Sequence, residues 1–109
     1  MINIDMWYGD KLEAVTPKNA TIKVPVDVSD VEFFIKENRV KYGRAWNKTK
    51  HPYVIETDEI KIGFNPDYLL EFCKMFKTDY IMCENSLKPA VYESENGEWG
   101  VVLPVRIND

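Results

Sequence analysis

The residues best equipped for chemistry are few and badly placed for it. His51 is the only histidine, and it sits in a polar Lys50-His51-Pro52 stretch away from any candidate nucleophile. Cys73 and Cys83 lack the paired spacing of a zinc site. Each stands beside apolar neighbours, which reads as a small core residue in a reducing compartment. No glycine-rich phosphate loop is present, and the acidic residues are scattered rather than paired as an acid and a base. The chain is therefore read as non-catalytic, with no cofactor and no metal. A small enzyme with an unrecognised site is the rival of a different class, and a deep pocket lined by carboxylates or by His51 would mark it.

The totals narrow the partners. A chain of 109 residues is one domain by length. No apolar run approaches the ~18 residues that span a membrane. Met1-Ile2-Asn3-Ile4-Asp5 lacks the basic start and apolar stretch of a secretion signal, so a cytoplasmic protein is expected. The net charge of −4 argues against a general affinity for nucleic acid, which needs clustered Lys and Arg, although a local basic face is compatible with an acidic total. Trp7, Trp46 and Trp99 are expected to pack partly inside; exposed, they would mark a contact surface.

Alternation and caps predict the scaffold that holds these residues. Ile2, Ile4, Met6 and Tyr8 alternate with polar Asn3 and Asp5, a half-buried strand over 2–8. Gly9-Asp10 suits a type II′ turn, and a returning strand over 11–15 ends at Thr16-Pro17. Ile22, Val24 and Val26 predict a strand over 21–27. A helix over 29–39 follows, capped by Ser29, in capping-box spacing with Glu32, or by Asp27. Its apolar positions are Val31, Phe34 and Ile35. Residues 40–52, interrupted by Gly43, Asn47, His51 and Pro52, are expected to hold one short strand and a loop. Strands over 53–55 and 59–64 lead to Asn65-Pro66, a capping side chain followed by proline at the first helical position. Leu69, Leu70, Phe72, Cys73 and Phe76 form that helix's apolar face. Strands over 79–84, 89–94 and 99–107 complete the chain, the last two joined by an Asn96-Gly97 hairpin signal.

An internal repeat links the two halves. Ile22-Lys23-Val24-Pro25-Val26-Asp27 aligns with Ile60-Lys61-Ile62-Gly63-Phe64-Asn65. Continued without a gap, Val31 meets Leu69, Phe34 meets Phe72, Ile35 meets Cys73 and Lys36 meets Lys74. Agreement at the capping pair Asp27/Asn65 favours duplication. The expected fold class is α+β: a single domain over 1–109 made of two β-α repeat units (22–58, then 59–109 with three further strands), with helices packed on one face of an antiparallel sheet.

The second half resembles the C-terminal domain of the bacterial DNA sliding clamp, the beta subunit of replicative DNA polymerase III. The family's closing half-domain carries an Ile-Gly-Phe-Asn strand end, a Tyr-Leu-Leu helix and a final Val-Met-Pro-Met-Arg strand. Here these are Ile62-Gly63-Phe64-Asn65-Pro66-Asp67-Tyr68-Leu69-Leu70 and Val101-Val102-Leu103-Pro104-Val105-Arg106-Ile107. Ser86-Leu87-Lys88-Pro89 and the Asn96-Gly97 hairpin lie between them in matching order. Upstream, Ala14-Val15-Thr16-Pro17-Lys18 and Thr21-Ile22-Lys23-Val24 are similar to the connection into the clamp's third domain. The stretch 40–58 is shorter than the family's, and the first two clamp domains have no counterpart.

The resemblance implies a processivity-factor role in DNA replication, exerted by binding rather than catalysis. It implies a socket near the chain's end for short peptides with apolar anchors, carried by DNA polymerase or other clamp-binding proteins; a full-length clamp is a further candidate partner. The positions carried over are Asn65, Tyr68, Leu87, Pro89, Val101, Leu103, Pro104, Val105 and Arg106. Tyr68 would add an aromatic wall with a polar tip, and Arg106 could hold a carbonyl or carboxylate. Read from the residues alone, Val101, Leu103 and Val105 are equally one face of a core strand. The family's helices face DNA, which singles out Lys36, Arg39, Lys41, Lys74 and Lys77. Glu32, Glu37, Asp67 and Glu71 share those helices, so a solvated face is the competing reading. Two alternative functions remain: a homo-oligomer of several copies that closes a ring and only then binds DNA, and a general interaction domain that has lost clamp partners. No membrane partner is implied.

Overall fold

Burial alternates along the strands as the apolar pattern requires. Val24 is fully buried while its neighbours Lys23 and Pro25 are exposed, and Ile81 and Cys83 are fully buried in Tyr80–Cys83. The structure, a computed structural model, describes residues 6–9 and 19–107, the first of these as backbone only. In chain order the elements are β1 (Met6–Gly9), β2 (Ile22–Pro25), α1 (Val28–Tyr42), a 3-10 turn (Gly43–Ala45), β3 (Tyr53–Glu56), β4 (Lys61–Phe64), α2 (Pro66–Phe76), β5 (Tyr80–Cys83), β6 (Ala90–Glu93) and β7 (Trp99–Val102).

The strands divide between two antiparallel sheets, one of five strands in the order β1-β7-β6-β5-β2 and one hairpin-like pair, β3-β4. Helices packed with antiparallel strands are the α+β class expected, although the strands do not form one continuous sheet. β1 pairs with β7, Met6 opposite Val102 and Gly9 opposite Trp99. The turn after Gly9 and the returning strand over 11–15 lie outside the described residues. One buried cluster joins Val24 of β2, Val31 and Ile35 of α1, Ile62 and Phe64 of β4, Leu69, Phe72 and Cys73 of α2, Ile81 and Cys83 of β5 and Val102 of β7. Among the described residues no helix is long and apolar enough to cross a membrane.

The repeat positions play matching parts. Asp27 and Asn65 are both N-caps, Asp27 accepting from the Asp30 N–H and Asn65 from the Asp67 N–H. Val24/Ile62, Val26/Phe64, Val31/Leu69 and Ile35/Cys73 are all buried. Ser29 lies inside α1, so the cap is Asp27 and the capping-box alternative is overturned. Proline at the start of α2 costs nothing because its missing N–H would have no helical partner there. Asn65→Ala is expected to lower stability by about 1 kcal/mol, measured as a shift in the urea midpoint at unchanged slope.

Three boundaries differ from expectation. α1 runs to Tyr42 and a 3-10 turn follows, so 40–52 contains no strand. Lys41 and Tyr42 carry nothing that breaks a helix, and the stop falls at Gly43, whose N–H bonds the Arg39 carbonyl. The Asn96-Gly97 hairpin is a three-residue loop rather than a two-residue one: Ser94 N–H donates to the Glu98 carbonyl at 2.7 Å and Gly97 N–H to the Ser94 carbonyl at 3.0 Å. Only Gly97 takes positive φ there, +84°, the position at which this loop class favours glycine. The third boundary, at the chain's end, belongs to the site.

Candidate partner-binding site

The expected strand over 99–107 breaks in two. β7 ends at Val102; Pro104, with no N–H, cannot continue a ladder. The chain then crosses to the other sheet, where the Val105 N–H donates to the Gly63 carbonyl at 2.8 Å. This crossover sets Leu103–Arg106 beside the end of β4, two residues before the Asn65 cap of α2. Gly63 permits the approach: a Cβ there would lie 3.1 Å from the Ile107 Cγ1 and 3.4 Å from the Pro52 Cγ.

The carried-over residues fall into three segments of the chain, 65–68, 87–89 and 101–106. Asn65 spends its side-chain oxygen on the Asp67 N–H at 3.0 Å. One turn into α2, Tyr68 is half-buried against the core. Leu87 is 66% exposed on the β5–β6 loop, which Asn85 Oδ1 fastens by accepting from the Leu87 and Lys88 N–H groups at 2.8 and 3.0 Å. Ala90 pairs with Val102, so antiparallel register sets Pro89 opposite Leu103. Leu103, Pro104 and Val105 are half-buried and Arg106 is exposed. Val101 is only 3% exposed and pairs with Val91 and Trp7 across the sheet; it lies outside the buried cluster that holds Val102, on the other face of β7. Half-buried apolar side chains flanked by an exposed leucine and an exposed arginine can take an apolar anchor and hold an adjoining carbonyl or carboxylate.

The basic residues expected on the helices do not make a clean positive face. Lys74 pairs with Glu32 across the helices at 3.1 Å, and Arg39 lies 3.9 Å from Asp67. Lys48, unremarked in the sequence, also pairs with Asp67. Lys41 lies 5.2 Å from the centre of the Tyr42 ring. Lys36 borders the interhelical groove together with Glu32 and Asp67. Lys77 stands just past α2 in left-handed backbone, φ +52°, its N–H on the Cys73 carbonyl.

The remaining candidates for chemistry are dispersed across the fold. His51 is exposed and stacks flat on Tyr42, centroids 5.0 Å apart. No group of three or more His, Cys, Asp or Glu side chains among the described residues could hold a metal. Trp46 and Trp99 are buried; the Trp7 side chain lies outside the described residues. Tyr53 donates to Asp30 at 2.6 Å, and burial, then that bond and the nearby carboxylate charge, pushes its pKa above the usual tyrosine range. Burial pushes the Cys83 thiol up to about 11, and burial with a smaller contribution from Asp79 does the same at Cys73.

A thiol pKa raised by folding means the native state keeps its proton longer than the unfolded chain. That stability is full below the ordinary thiol value of 9.0 and is lost as pH rises through about 11. Thermal melts are expected to lose on the order of 1–2 kcal/mol per thiol by pH 10.5. Iodoacetamide at pH 8 should label neither cysteine until the chain is unfolded.

The arrangement defines a clamp-like α+β fold with a half-buried crossover over 103–105. The chain resembles the crystal structure of a DnaN sliding clamp (DNA polymerase III subunit beta) from Bartonella birtlesii bound to griselimycin, with a TM-score of 0.57 at 20% identity. The likeness covers 91% of this chain and 35% of the clamp chain, so this protein spans about a third of that length. No family profile matches the sequence, and no curated protein matches it.

Proposed function

We propose that this chain is a non-catalytic, clamp-related binding protein of DNA replication that takes short, apolar-anchored peptides at its C-terminal crossover. Candidate partners are DNA polymerase and other clamp-binding proteins, or a full-length clamp. The carrying observation is the Val105–Gly63 bridge, which brings the crossover to the end of β4, in a fold that matches a sliding clamp over 91% of the chain. In this reading Tyr68 and Leu103–Val105 receive the anchor, Leu87 and Pro89 close one side, and Arg106 holds the peptide backbone or a carboxylate. The half-buried aromatic wall is expected to contribute more than the exposed rim.

A fluorescein-labelled peptide with two adjacent apolar anchors, titrated by anisotropy, tests this. Tyr68→Ala is expected to weaken binding about tenfold, the equivalent of ~1.4 kcal/mol. Absence of binding at high protein concentration, or equal binding by wild type and Tyr68→Ala, would refute the assignment.

A further inference from the structure

Between Asn38 and Glu56 the chain carries Arg39, Lys41, Arg44, Lys48 and Lys50 and no acidic residue, in a protein of net charge −4. The fold gathers this run at the end of α1. Arg39, Arg44 and Lys48 line a concavity of about 390 Å³ together with Trp46 and Gly43. Lys48 Nζ lies 5.3 Å from the Trp46 ring centre. Trp46 is 8% exposed and its indole donates from Nε1 to the His51 carbonyl at 3.2 Å, which fixes the floor. Asn47 Oδ1 accepts from the Thr49 and Lys50 N–H groups at 3.0 Å each, so the segment bearing Lys48 and Lys50 is held in one turn. Among the described residues only Asp67 meets the run with a carboxylate, shared between Arg39 and Lys48, and Arg44 has no ion pair. The concavity therefore keeps a positive excess on an ordered frame, and little reorganisation is needed to receive an anion.

We propose that this concavity binds a short acidic peptide segment of a partner protein, carboxylates meeting Arg44, Lys48 and Arg39 over the Trp46 floor. The footprint selects the ligand. The lining charges Arg39, Arg44 and Lys48 sit at one end of α1 and the following turn, with the Asp67 carboxylate beside Arg39 and Lys48, and Glu32 beside Lys36 and Arg39 in the neighbouring interhelical groove. An extended polyanion would be driven onto those carboxylates, whereas two or three Asp or Glu side chains fit within the patch. Arg44 offers the forked donor geometry that pairs with carboxylates. Asp67, which meets Arg39 and Lys48, neighbours Tyr68 in α2, but neither Tyr68 nor Leu103–Arg106 lines the concavity.

The test is anisotropy of a fluorescein-labelled Asp/Glu hexapeptide on the full chain at low salt, with an oligothymidylate of equal charge as the second probe. Binding of the acidic peptide is expected, weakened progressively by Arg44→Lys, Arg44→Gln and Arg44→Glu, with about tenfold or greater loss in the last. It should fall steeply by about 0.5 M salt as screening shortens the range of attraction, and Tyr68→Ala should leave it unchanged. Arg44 is exposed, and unchanged thermal melts would confirm that its variants remain folded. No acidic-peptide binding at low salt, or equal binding by Arg44→Glu, overturns the proposal. Tighter binding of oligothymidylate with the same Arg44 dependence also overturns it and assigns the patch to nucleic acid.

Discussion

Phe72→Ala is expected to lower the unfolding free energy by about 3–5 kcal/mol. Phe72 is fully buried in α2 and begins a run of aromatic contacts: Phe76 at 4.9 Å, Phe76 to Tyr92 at 5.6 Å, and Tyr92 to Tyr80 at 5.3 Å between centroids. These tie α2 to β6 and β5, so truncation leaves a cavity where helix and sheet meet. For a chain of this size the loss corresponds to a fall in thermal midpoint on the order of 15 °C or more. Against a typical total of about 5–15 kcal/mol it removes a large share of stability. Phe33→Ala is the control: Phe33 is 58% exposed, and its loss should change stability by no more than about 0.5 kcal/mol. Comparable effects at the two positions would contradict the packing described.

The second large effect is on binding. Gly63→Val is expected to weaken the apolar-anchored peptide about tenfold or more, a loss of ~1.4 kcal/mol, while thermal melts show a folded protein. An ideal Cβ at Gly63 meets Ile107 Cγ1 at 3.1 Å, and valine adds two methyl groups to that contact. The cheapest response is for the terminal segment to move off β4, breaking the Val105–Gly63 bridge and carrying Leu103–Arg106 with it. Gly63→Ala asks only for a few tenths of an ångström and should have the smaller effect. Unchanged affinity in Gly63→Val would mean that the crossover does not build the socket.

What the sequence made legible depended on whether a signal was local. The cap of α2 was plain because Asn65-Pro66 states both the capping oxygen and the helical start. The pairing of capping residues across the repeat also identified Asp27, although Ser29 with Glu32 offered a competing box. The end of α1 was hidden because Phe33 and Val40 point outward, the latter 84% exposed, which blurs the apolar stripe that marks a helix. At the chain's end, Val101, Leu103 and Val105 keep a period of two through Pro104, and pattern alone cannot reveal a strand that changes sheets. The same is true of the basic concavity: Arg39, Arg44 and Lys48 surround Trp46 only because a 3-10 turn follows the helix. Of the residues singled out for a partner, Tyr68, Leu87 and Leu103–Arg106 keep partly or fully exposed side chains, whereas Val101 is only 3% exposed.

The most direct measurement is an amide-shift titration of the ¹⁵N-labelled chain with the unlabelled apolar-anchored peptide. The account predicts perturbations clustered at residues 65–68, 87–89 and 103–106, with the α1 face at Phe33 and Glu37 unmoved. Saturable shifts confined to the helices or to residues 93–98, with those three segments unchanged, would contradict it.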